Sequence, residues 1–249
     1  MDLESFNTSR ESLVPLLALN NKSNKNIIIF PTDKEAIEFS TDFSNLNKNI
    51  FHLPSWDTLS YDSFVPSFDI QGKRLEIAHL LLTNNNYNIA TSIKAISQRI
   101  YFEELEICKI ELNEEIDFDS LIENLIHLKY QRKDRVESKG SFAIRGGQLD
   151  VYPINYDLPL RVIFDGDLVN EIKTFDTISQ RSVSEKKDIL IVPATELFQI
   201  KHSDILNLSS NNKENLDDYE LFQYSQNLDL EKCLLDLTSN VSLHIVEKI

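Results

Sequence analysis

Short apolar runs alternate with segments of helical period through the first part of the chain. NIIIF (26–30) has the continuous apolar character of a buried strand. PTDKEAIEF follows, with Thr32 and Glu35 at capping-box spacing ahead of Ala36, Ile37 and Phe39, which predicts a helix entered at Thr32. NIFHL (49–53) reads as the next strand, and DIQGKRLEIAHLLL as a helix with Leu75, Ala78 and Leu82 on one stripe, stopped by NNN at 84–86. YNIAT (87–91) is a further strand, after which Ser92 caps a helix bearing Ile93, Ile96 and Ile100; EICKIEL (106–112) is expected to return to the same sheet. Strands alternating with helices predict a parallel α/β sheet.

The period then changes. Phe118, Leu121, Ile122, Leu125 and Leu128 define one more amphipathic helix. Afterwards the chain breaks into alternating runs, RVES, SFAIR, QLDVYP, LRVIF, EIKTFD, RSVSE and DILIVP, divided by the turn signals KG, GG and DGD. That pattern predicts an antiparallel meander. The fold class expected is therefore α/β: a parallel α/β domain over 1–112, a mostly antiparallel β domain over 113–200, and a partial return to the first domain over 201–249. In that tail SSNNKENLDD is a polar loop, Leu228, Leu230, Leu234 and Leu237 suit a helix, and VSLHIVEKI is strand-like.

Composition narrows the function. With 249 residues, 41% hydrophobic and 26% charged, the chain can bury a core, and its net charge of -15 argues against broad attraction to nucleic acid. The apolar runs are too short to cross a bilayer, so a cytoplasmic protein is expected. Cys108 and Cys233 stand apart with no metal-ligand spacing, and the five histidines lie in unrelated segments, His79 and His127 near apolar stripes. Neither a metal nor a cofactor is expected. The glycines are only Gly72, Gly140, Gly146, Gly147 and Gly166, so the spacings of a phosphate-binding loop and of a dinucleotide fingerprint are both missing. The loop after the first strand, FPTDKEA, can cap a helix but cannot wrap a phosphate. Neither a GxSxG elbow nor HExxH occurs, so no catalytic residue is assigned.

Two stretches stand out. The loop LPSWDTLSYDSFVPSFD (53–69) concentrates Trp56, Tyr61, Phe64 and Phe68, which either pin a long loop to the sheet or offer a base-stacking platform. Residues 129–153, KYQRKDRVESKGSFAIRGGQLDVYP, gather Lys129, Arg132, Lys133, Arg135, Lys139 and Arg145 against Asp134, Glu137 and Asp150, with three of the five glycines. In an acidic chain this is a local basic patch. It can orient an acidic partner, or its arginines can pair with those three carboxylates across the sheet.

LPSWDTLSYDSFVPSFDIQGKRLEIAHLL resembles the loop and helix near the start of the bacterial transcription-repair coupling factors, Mfd, and the stretch from YQRKDRVESKG to SQRS, continuing to ILIVPATELF, resembles the UvrB-interaction domain by which Mfd and UvrB bind UvrA. The elements G-x-F-x-x-R-G, D-V-Y-P, F-D, T-F-D and S-Q-R occur in order, and the likeness covers about residues 26–200. UvrB itself has an intact phosphate loop and a long aromatic hairpin, and both are missing here. The resemblance therefore implies a degenerate UvrB/RecA-like domain without an ATP site, followed by a UvrA-binding domain. It implies UvrA as the protein partner, with Arg132, Phe142 and Arg145 at the contact; a further family arginine is replaced by Ala143. RNA polymerase and DNA would be reached only through regions beyond this chain, which is expected to be a fragment, a truncated product or a free-standing adaptor, non-catalytic and monomeric. The alternative is a nucleic-acid-binding module using the 129–145 patch and the 53–69 loop.

Overall fold

The computed structural model describes residues 2–6, 24–45, 49–59, 62, 64–98, 105–197 and 242–246. The chain divides into two units, Met1–Leu105 with Ile200–Ile249, and Glu106–Gln199.

The first unit is built on a five-stranded sheet in the order β1-β13-β2-β4-β3, formed by β1 (Asp2–Phe6), β13 (Ser242–Val246), β2 (Lys25–Phe30), β4 (Tyr87–Ser92) and β3 (Phe51–Leu53). All of its pairings are parallel. Helix α1 (Asp33–Ser44) starts where the capping residues place it: Thr32 is extended and its Oγ1 accepts a hydrogen bond from the Glu35 amide. Ala36, Phe39 and Phe43 form its buried face, packed on Ile28, Phe30 and Ala90. Ile37, expected on that stripe, points outward at 48% exposure. Helix α2 (Phe68–Thr83) buries Leu75, Ala78 and Leu81, whereas Leu82 is exposed. Its Arg74 is buried, stacked on Trp56 at 4.9 Å and donating to the Pro54 carbonyl. Ser92 Oγ caps the short helix α3 (Ile93–Ser97) by accepting from the Ala95 amide; Ile96 is buried, Ile93 exposed, and Ile100 lies outside the described residues. The expected helix over Leu228–Leu237 also lies outside them, while the strand-like end of the tail is β13, whose His244 sits beside Asn26 at 3.3 Å.

The second unit packs one helix, α4 (Phe118–His127), on a six-stranded sheet. Sheet order is the chain order reversed: β11 (Ser182–Glu185), β10 (Leu168–Phe175), β9 (Leu160–Asp165), β8 (Gln148–Tyr152), β7 (Ser141–Arg145) and β6 (Gln131–Arg132). All neighbours are antiparallel except β6 and β7, which run parallel. Asp117 caps α4 through Oδ1, which accepts from the Ser120 amide at 2.7 Å. Leu121 and Leu125 then meet Phe142, Leu149, Val151, Leu160, Val162 and Ile172 in one core, with Phe118 edge-on to Phe164.

One strand expectation is corrected here. β5 (Cys108–Glu111) does not join the parallel sheet; it pairs antiparallel with β12 (Asp188–Ile191). The physical reason is its alternation. Cys108 and Ile110 are buried while Lys109 and Glu111 are exposed, a one-sided strand suited to lining the second core, unlike the continuous burial of Ile27–Phe30.

Candidate partner-binding face

The six-stranded sheet has a core face and an opposite face, and the basic segment crosses the latter. After α4 the backbone turns at Lys129, φ 70°, into β6. Residues 133–140 then pass over the sheet before β7. Val136 is buried among Ala143, Phe175 and the edge of Tyr152, so this crossing segment has a small apolar anchor of its own. Arg135 Nη2 donates to the carbonyls of Thr177 (2.9 Å) and Ile178 (3.3 Å) in the turn between β10 and β11. Arg145 Nη2 donates to the Asp134 carbonyl at 3.2 Å. Two guanidinium groups thus tie the loop down through main-chain oxygens.

Cross-strand register aligns Ala143, Asp150, Arg161, Lys173 and Glu185 in a row. Asp150 and Arg161 form a two-bonded pair, Nε to Oδ1 at 2.7 Å and Nη2 to Oδ2 at 2.9 Å, and Arg161 also lies over the Phe175 ring at 4.4 Å. Glu137 lies 3.6 Å from Arg135 Nε. Two of the three carboxylates weighed as partners of Arg132 and Arg145, Asp150 and Glu137, are therefore directed elsewhere, and Asp134 meets Arg145 through its main-chain carbonyl. Arg132 is exposed on β6, and its guanidinium has no hydrogen-bond or ion-pair partner among the described residues. Arg145 is exposed at the end of β7 and makes no ion pair among them.

Phe142 faces Arg132 in the β6–β7 register, and alternation turns its ring to the core face, where it has 0% exposure and packs the sheet. Ala143 points the other way but is covered by Val136, so a long side chain at 143 has no room while that segment stays in place. Sequence reasoning named Arg135 only as one charge among six and did not single out Ile178; a hydrogen bond from a side chain to a carbonyl more than forty residues on has no local signature.

The hairpin tip beside Arg145 demands its glycines. Gly146 adopts φ +60°, and a Cβ on Gly147 would stand 2.8 Å from the Phe164 carbonyl oxygen, whose residue donates its amide back to Gly147 O at 2.7 Å.

Trp56 is buried under Arg74 and is not available for base stacking; Phe64 and Phe68 are exposed, and Tyr61 lies outside the described residues. At the start of α1, Asp33 accepts hydrogen bonds from the Ser55 hydroxyl and amide. Burial pushes the Cys108 thiol up to about 11, a structural rather than reactive cysteine. No cluster of potential metal ligands occurs among the described residues, and no described helix is long and apolar enough to cross a membrane.

Residues 108–197 match the family described as the UvrB interaction domain. The chain is 29% identical over 174 residues, 68% of its length, to the transcription-repair-coupling factor of Escherichia coli (strain K12), and 31% identical over 159 residues, 62% of its length, to that of Myxococcus xanthus. It spans 15% and 13% of those two proteins. It is also 24% identical over 190 residues to the UvrABC system protein B of Thermosipho africanus, covering 69% of this chain and 28% of that one. The likeness to the coupling factors stated from sequence holds, with the matched domain carrying the basic segment.

Proposed function

We propose that this chain, which carries a UvrB interaction domain over residues 108–197 and is similar to transcription-repair coupling factors over most of its length, is the module by which such a factor recruits UvrA for nucleotide excision repair at stalled RNA polymerase. In this reading the 113–200 region supplies the UvrA contact, and 1–112 is a UvrB/RecA-like domain that has lost its ATP site. The module is a non-catalytic adaptor, and RNA polymerase and DNA are engaged by other parts of the coupling factor.

One observation carries the reading: the matched domain presents two arginines to solvent, Arg132 on β6 and Arg145 at the end of β7, without carboxylate partners among the described residues. Arginine is suited to such a contact. Its planar fork binds carboxylates bidentately and it tolerates burial at an interface better than lysine. Set in a chain of net charge -15, such exposed arginines select for a partner surface rich in Asp and Glu and orient its approach.

The test is calorimetric titration of purified UvrA into the chain and into an Arg132→Glu/Arg145→Glu variant whose fold is checked by circular dichroism. The expected result is binding that weakens by about thirtyfold or more in the variant, the hot-spot scale of about 2 kcal/mol. A well-folded wild type that does not bind overturns the proposal. A duplex-DNA titration at two salt concentrations serves as the counter-test, because binding through phosphates would fall steeply with salt.

A further inference from the structure

Ile178 is 87% exposed, well beyond any other large hydrophobic side chain described. A single exposed isoleucine is ordinary on a protein surface; this one sits on a turn built to hold it. Asp176 accepts from the Ser179 amide through Oδ1 at 2.7 Å and from the Gln180 amide through its carbonyl at 2.8 Å. The Asp176 amide donates to Arg181 O, closing the turn, and Gln180 Nε2 donates to Thr177 O while its backbone adopts φ 58°. The turn is also tied to Arg145 through the crossing segment. Arg145 holds the Asp134 carbonyl, and the next residue, Arg135, holds the Thr177 and Ile178 carbonyls.

We infer that Ile178 is the apolar anchor of the docking face, seated in a pocket of UvrA rimmed by carboxylates that meet Arg135 and Arg181. This rests on the UvrA reading above and adds a second contact region to it, across the sheet from Arg132. Two arguments favour that occupant. Exposed cations flank the isoleucine in sequence and in space, so the complementary surface is acidic around an apolar centre. The side chain is presented on a hydrogen-bonded turn, so little conformational freedom is lost when it is buried.

The experiment compares UvrA binding by wild type, Ile178→Asp, Ile178→Leu and the Arg132→Glu/Arg145→Glu variant, with thermal melts of each. Because Ile178 touches solvent, the melts of both Ile178 variants should match wild type. Ile178→Asp should weaken binding by about tenfold or more, and Ile178→Leu should stay within about twofold. Hydrogen exchange should slow at residues 177–183 in the complex. Wild-type affinity in Ile178→Asp, with binding lost in the arginine variant, overturns the anchor and leaves the recruitment reading standing; absence of binding by folded wild type removes both.

Discussion

Asp150 and Arg161 face each other across β8 and β9 and close two hydrogen bonds on the side of the sheet away from the core, with side-chain exposures of 5% and 15%. Removing one partner strands the other charge in a half-dry site. Asp150→Ala is expected to destabilise the second unit by about 3 kcal/mol, while an Asp150→Leu/Arg161→Met pair of similar volume recovers most of that. Urea unfolding followed by far-ultraviolet circular dichroism measures both, and equal loss in the single and double variants would contradict the account.

Phe142 separates packing from contact. Phe142→Ala empties a fully buried site and should cost about 3–5 kcal/mol, taking UvrA binding with it only through loss of fold. Phe142→Leu keeps most of the apolar volume, so binding should be retained in the fraction that stays folded. A folded Phe142→Leu chain that no longer binds would return this ring to the interface.

Two neighbouring glycines should respond differently to alanine. At Gly146 a methyl group meets open space, and the expense is the left-handed backbone alone, about 1 kcal/mol. At Gly147 it meets a backbone oxygen at 2.8 Å in the adjacent strand, which has to shift. Gly147→Ala should therefore lower the urea midpoint more than Gly146→Ala and disturb the amide of Phe164 in NMR spectra.

Histidine gives the first unit a pH dependence. Burial lowers the His52 pKa below the ordinary 6.5, outweighing the opposing pull of Asp33, and burial lowers His79 in the same direction. Each folded-state pKa lies below its unfolded value, so the unfolded chain binds more protons as pH falls below about 6.5. Stability is then fully present above that pH and declines as pH falls toward the folded values. The sole tryptophan, Trp56, lies in this unit, so its fluorescence in urea melts at pH 7.5 and 5.5 follows the effect. His52→Phe/His79→Phe should flatten the dependence.

Much of the fold was legible because its signals are local. Thr32 and Glu35 mark the start of α1, and the KG, GG and DGD signals fall where Gly140, Gly146 and Gly166 adopt positive φ. Residues whose role depends on distant partners were harder. Ile37 and Leu82 fit a helical stripe as well as their neighbours do, and only packing on the sheet decides which side is buried. Alternation groups Phe142 apart from Ala143 without saying which set meets the core, so an aromatic beside an arginine looks like a contact until a helix covers it. β5 reads as a short alternating strand, but its partner DILI lies some eighty residues later. Arg132 and Arg145 were visible as charges; what sequence could not supply is that Asp150 is committed to Arg161.

The placement of β13 bears on the order of events during synthesis. Ser242 lies beside Asn26 and also beside Asp2, so the middle of the parallel sheet, and the attachment of β1 at its edge, wait for a segment made after the whole of 106–199. The pairings of the six-stranded sheet span short sequence separations and can close as they emerge. Pulse-labelled hydrogen exchange on nascent chains should find Phe142 and Leu149 protected before Ile27. The six-stranded sheet is thus complete while the sheet that precedes it in sequence is still an open pair of edges, an interval in which a chaperone or a neighbouring strand has access to β2.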